Sequence, residues 1–292
     1  MAAKTDQTIR LREGRRVGYS EYGDLQGWPI FFFHGMPGSR IAASMIEGVA
    51  AQMGIHLVAS DRPGYGLSDS MPERKLLDYP RDMLELAAHL ALERFGVMGA
   101  SGGGPYVSAC AYQIPERLTA AGIIAGAGPM SEPVATEGMM KGNVRLFTIA
   151  KRFPWLLRWF LSLQFRGDLE KKLPTVLKNL PEPDQKVLAE RKDLAPIFLN
   201  DIHEALRQGT DGMVQDILLT IQPWGFNLVD IRIKVYLWQG ELDRNVPPEM
   251  GRYQARTIPD CEATFYPQDG HLSIFANHME EILARMLARM LA

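Results

Sequence analysis

A chain of 292 residues with a net charge of −2 can bury a large core and lacks the charge excess that recruits nucleic acid or an anionic membrane. With 46% hydrophobic and 23% charged residues, the composition excludes disordered and fibrous classes and matches an ordinary globular protein. Cys110 and Cys261 stand far apart and outside any metal-ligand spacing, which fits a reducing compartment.

The N-terminal stretch has no apolar segment of the secretory type, and no apolar run reaches the roughly 18 residues needed to span a bilayer, so a cytoplasmic location is expected. Thr8 to Leu11 and Arg16 to Tyr22 read as two strands joined at Glu13-Gly14, with the surrounding arginines on a solvated face. Pro29 to Phe33 is a continuous apolar run, the pattern of a strand covered on both faces. It runs into His34-Gly35-Met36-Pro37-Gly38-Ser39, followed by a helical segment from Ile41 to Gln52 and a second buried strand from Ile55 to Ala59. The turn-rich stretch Asp61 to Asp69 precedes a helix over Tyr79 to Leu92, whose apolar residues recur at helical spacing. Phe95 to Ala100 and Leu118 to Ala125 read as further strands, separated by a helix from Pro105 to Gln113.

From about Met130 to Trp224 the character changes. Strand-like runs give way to helical segments rich in Leu and aromatics, broken at Pro154, Pro174, Pro181, Pro183 and Pro196. Phe153 to Phe165 is apolar over much of its surface, so it reads as a core helix of a helical subdomain or as an acyl-binding face. Trp155, Trp159 and Phe160 are expected to face the main domain, a partner or a ligand; few basic residues flank them, which disfavours a membrane surface. Sheet character returns at Ile231 to Trp238 and Glu262 to Tyr266, around a helix from Pro248 to Thr257, and an amphipathic helix from about Phe275 closes the chain.

Alternating strands and helices imply a doubly wound, mostly parallel sheet of about eight strands. Residues 1–129 and 225–292 would form it, with residues 130–224 inserted as an all-helical cap. Right-handed crossovers place the loops that follow the strands on one edge.

The stretch Gly99-Ala100-Ser101-Gly102-Gly103 lies between a predicted strand and a predicted helix, the context that turns G-x-S-x-G into a nucleophile elbow. In a chain with 27 glycines the pentapeptide arises by chance about 0.1 times, so its neighbours carry the weight. A serine hydroxyl needs a base within reach, and the base needs a group that holds its tautomer. Ser101, Asp243 and His271 occur in that order, each in a loop just after a predicted strand. Glu241 and Asp269 are rival acids, His34 and His278 rival bases, and Asp61 and Arg62 read as loop braces.

The motifs HGMPGS, DRPGYGLSD, GASGGGP, GELDRNVP and DGH, spread along nearly the whole chain, resemble those of the α/β-hydrolase fold superfamily. The resemblance implies Ser101 as nucleophile, His271 as general base and Asp243 as orienting acid. It implies an oxyanion hole from the backbone N–H groups of Met36 and Gly102, and no metal or organic cofactor. Glycine after the serine departs from the bulkier residue of many esterases in this group. His34, at the cleft by its motif, and Trp155 and Trp159 on the helical insertion are candidate substrate contacts. The implied activity is a serine hydrolase acting on a small, fairly apolar ester or amide. A proline-type aminopeptidase, a C–C bond hydrolase and a cofactor-free haloperoxidase share the scaffold, and a non-catalytic ligand-binding receptor is the reading from another class.

Overall fold

The computed structural model describes residues 3–168, 170–171 and 178–291; Pro174, one of the expected helix breaks, lies outside them. Eight strands form one sheet: β1 (Lys4–Arg10), β2 (Arg16–Gly23), β3 (Trp28–Phe33), β4 (Ile55–Ser60), β5 (Phe95–Ala100), β6 (Leu118–Ile124), β7 (Val235–Gly240) and β8 (Cys261–Tyr266). Their spatial order is β1-β2-β4-β3-β5-β6-β7-β8. β2 pairs antiparallel with β1 and with β4, and every pairing from β4 to β8 is parallel.

Helices on both faces explain why β4 and β5 are buried along their whole length. The residues alternate strictly between the two faces. Phe31, Phe33, Val97, Val235 and Leu237 join one core with α2 (Tyr79–His89) and α3 (Gly104–Gln113). Ile30, Phe32, Met98, Tyr236 and Trp238 join the other, with α1 (Glu47–Gln52) and the last helix.

Several expected elements change at their ends, two of them with a change of character. The segment after the HGMPGS loop begins as a 3₁₀ helix, Arg40–Ile46, and only then becomes α1. β7 starts at Val235, because Ile231 follows a 3₁₀ turn at Leu228–Asp230 and enters the core from there.

Between β6 and β7 the described residues form helices and turns only: α4 (Lys141–Arg152), α5 (Pro154–Gln164), α6 (Glu182–Glu190), α7 (Leu194–Ala205) and α8 (Asp211–Ile221), besides short 3₁₀ turns. Pro154 and Pro183 stand in first turns, where the absent N–H costs nothing, so these breaks are helix starts. The insertion has a small core of its own, built on Ala150, Leu157, Leu161, Met213 and Ile217, and it closes over Tyr65 from the loop after β4. Beyond β7 follow α9 (Pro248–Thr257), β8 and α10 (Ser273–Leu291). Among the described residues no helix is long and apolar enough to cross a membrane.

Candidate active site

The parallel strands end on one edge, where the loop leaving β3 packs on the loop leaving β5 and the loop leaving β7 packs on the loop leaving β8. Ser101 follows β5 in the left-handed region, with φ of 52°, an uncommon conformation for a residue with a side chain. The chain can make this turn only because its flanks are bare. A Cβ on Gly99 would stand 2.7 Å from the Gly103 carbonyl oxygen, and one on Gly103 would stand 2.2 Å from that of Phe33. Ser101 itself is half-buried, and a 3₁₀ turn carries it straight into α3.

Gly102, the departure noted above, has a packing reason. A Cβ there would lie 2.8 Å from the Met36 Cβ and 3.3 Å from the Met36 nitrogen. The backbones of Met36 and Gly102, the expected oxyanion donors, are therefore neighbours on the side of Ser101 that Gly35 also faces.

Asp243 and His271 come together from different loops. The Asp243 Oδ2 and His271 Nδ1 are 2.7 Å apart, with both residues buried. The other oxygen of Asp243 accepts the N–H groups of Asn245 and Val246, and the Gln239 amide donates to Oδ2, so the carboxylate is locked in orientation. That bond puts the proton of a neutral imidazole on Nδ1 and leaves Nε2 with a lone pair. Burial alone would push the imidazole's pKa down, but the Asp243 charge and hydrogen bond, with Asp184 beyond, carry it above the ordinary histidine value.

The rival acids are engaged elsewhere: Glu241 with Arg252, and Asp269 with Asn277 and His278. Among the described residues no side chain hydrogen-bonds the Ser101 hydroxyl.

The three expected substrate contacts stand in different surroundings. His34 is buried beneath the loop, and both ring nitrogens are taken, Nδ1 at 2.8 Å from the Gly35 carbonyl and Nε2 accepting the Arg62 N–H at 3.2 Å. Burial and the Arg62 charge hold its pKa well below the ordinary value, so it is a neutral brace. Trp155 and Trp159 stand 76% and 62% exposed, because α5 turns Leu157 and Leu161 inward; only Phe160 of that trio packs against the cap core. Asp61 and Arg62 are braces as expected: Asp61 binds Arg40 and the Leu67 N–H, and Arg62 donates to the carbonyls of His34 and Gly35.

Sequence reasoning missed three buried carboxylates, each from a different cap helix and each tied to a different loop of the core. Asp216 of α8 accepts from Arg62, Arg74, Tyr65 and Tyr106, and the two arginines hold its pKa far below the carboxylate range against the effect of burial. Asp201 of α7 accepts the N–H and hydroxyl of Ser39; burial raises its pKa to about 7. Asp184 of α6 accepts the N–H groups of His271, Leu272 and Ser273. A signal existed for Asp216, since it shares a helix face with Met213, Ile217 and Thr220, an acid set among residues that seek the interior. Among the described residues no group of three His, Cys, Asp or Glu gathers in a way that could hold a metal ion.

A Mycobacterium phage D29 protein provisionally named a non-heme haloperoxidase is 34% identical over 116 residues, 39% of this chain and 41% of that protein. The chain thus spans under half the length of this curated relative. Solved structures align almost end to end. A hydrolase from Pseudomonas aeruginosa PA01 has a TM-score of 0.71 at 16% identity, covering 97% of this chain and 98% of its own. A thermophilic esterase from Thermogutta terrifontis has a TM-score of 0.68 at 19% identity, covering 99% of each chain. At such identities the likeness concerns the fold. The Alpha/beta hydrolase family matches residues 30–285, most of the chain, and the sheet order and loop edge agree with it. The chain belongs to the alpha/beta hydrolase family.

Proposed function

We propose that this hydrolase is a serine esterase that cleaves small carboxylic esters through an acyl-enzyme. The observation that carries the reading is the buried Asp243–His271 pair, 2.7 Å apart, on the same sheet edge as a serine in a left-handed turn. His271 Nε2 takes the Ser101 proton as Oγ attacks the ester carbonyl. The N–H groups of Met36 and Gly102 then receive the negative oxygen of the tetrahedral intermediate. The imidazolium returns the proton to the departing alkoxide, which leaves as the alcohol. Water, deprotonated by the same nitrogen, releases the acid and frees Ser101. Met36 packs against the apolar core of the cap, which favours an ester with an apolar acyl or alcohol group over a charged one.

The test is labelling with a fluorophosphonate probe beside hydrolysis of short p-nitrophenyl esters. Wild type is expected to label and turn over. Ser101→Ala is expected not to label, and His271→Ala to lose about 10⁴-fold or more in kcat with its fold intact. An unlabelled wild type overturns the esterase reading and favours a ligand-binding role on the same scaffold. The phage relative supports a second reading, in which hydrogen peroxide in place of water attacks the acyl-Ser101 ester and releases a peracid that oxidises halide; bromination of a phenol in acetate and hydrogen peroxide by wild type but not by Ser101→Ala would establish it.

A further inference from the structure

The first N–H groups of an α-helix have no acceptor within the helix. At the start of α10 the acceptor comes from the cap. Asp184, in the first turn of α6, is fully buried, and its Oδ2 accepts the His271 N–H at 3.0 Å. Its Oδ1 accepts those of Leu272 and Ser273 at 2.9 and 2.8 Å. Gly270 leaves room for this approach, since a Cβ there would stand 2.6 Å from Oδ1. The Gly270 N–H donates in turn to the Ser273 hydroxyl, so the loop closes around the carboxylate.

Among the described residues no Lys, Arg or His side chain forms an ion pair with Asp184. Its charge is balanced by three N–H dipoles and the positive end of α10. The groups facing the imidazole are Asp243 from the loop after β7 and Asp184 from the cap; Asp269 is held by Asn277 and His278. Bare helix starts and aspartates are common. A fully buried aspartate from an inserted domain, spent entirely on the backbone of the base's own loop, is a specific construction.

We propose that Asp184 is a positioning residue for the acyl-transfer reaction, by which the cap holds the His271 loop so that the imidazole meets Asp243. This rests on the esterase reading. The cap is then part of the proton-transfer apparatus as well as a cover. Its carboxylate also favours the protonated imidazole, so it supports the base at the moment the serine proton arrives.

Asp184→Asn tests this at constant volume, because the new amide sets a donor or a weaker acceptor against one of the three N–H groups. In p-nitrophenyl ester hydrolysis, kcat is expected to fall about tenfold to a hundredfold with KM moved far less, the pattern of a misplaced base. The acid limb of kcat/KM is expected to move to lower pH, since an imidazolium that loses a carboxylate neighbour releases its proton more readily. A folded variant with lowered Tm but unchanged kcat and limb would overturn the proposal. NMR titration of the His271 ring in Ser101→Ala, with and without Asp184→Asn, reads the same downward shift without any turnover. It therefore stands apart from a failure of the esterase reading, and an unmoved ring titration also overturns the proposal. Should Asp184→Asn not fold, amide exchange in the wild type decides. His271, Leu272 and Ser273 have no helical acceptor, so slow exchange there supports the Asp184 contact, and exchange at the rate of free peptide overturns it.

Discussion

On the sheet edge, Ser101 is placed by backbone shape. Its left-handed turn needs bare glycines on both sides, and backbone carbonyls of Phe33 and Gly103 are among the groups that crowd them. Across the same edge, the cap is held by buried carboxylates: Asp184, Asp201 and Asp216 reach down from three helices into three loops of the core. The two halves therefore fail differently. A backbone turn is lost by adding atoms, whereas a buried carboxylate is lost by removing a charge and stranding its partners. The cap also contrasts with itself. Its inner face buries Leu157, Leu161 and Ile217 beside the three aspartates, while its outer face leaves Trp155, Trp159 and Leu163 exposed.

The sharpest break of the comparison is Asp216→Ala. It leaves Arg62 and Arg74 charged and buried without their carboxylate, at a cost of about 3–5 kcal/mol of unfolding free energy. Chemical denaturation reads it, and a loss below about 1 kcal/mol would mean the cap is not held by charge. Gly103→Ala attacks the other half. The new methyl meets the Phe33 carbonyl, so stability should fall by about 1–3 kcal/mol and turnover should suffer with it. A variant as active as wild type would show that the turn does not depend on its bare flanks.

The next effect is a displacement in pH. In the proposed mechanism hydrolysis requires a neutral His271, whose pKa lies above the ordinary 6.5. Activity should therefore begin to fall as pH drops through a range above 6.5, and an acid limb centred below that value would contradict the environment given by Asp243 and Asp184. The smallest effect is expected on the outside of the cap. Trp155→Ser with Trp159→Ser should change stability by no more than about 0.5 kcal/mol and leave ester turnover unchanged. A large loss in either would return those indoles to the site and blur the contrast between the two faces.

The legible parts of this protein are those with local causes. The apolar runs of β3, β4 and β5 announced strands covered on both faces, and the glycines around Ser101 announced the turn they permit. The order Ser101, Asp243, His271 could be read because each residue follows a strand, and parallel strands end together. The cap resisted reading for a physical reason. α5 is apolar around most of its circumference, so its periodicity does not select a buried side; the fit of Leu157 and Leu161 beside Ala150 and Ile217 does. His34 carried a site motif, yet the fold closes both its nitrogens into the loop.

By itself the sequence determined the family, the sheet and the identity of the candidate catalytic side chains, because backbone conformation and apolar patterning act over a few neighbouring residues. Only the tertiary structure decided which carboxylates of the cap are buried and what they bind. Asp184 meets His271 across 87 residues of chain, and no local pattern encodes a partner chosen by the packing of one domain on another.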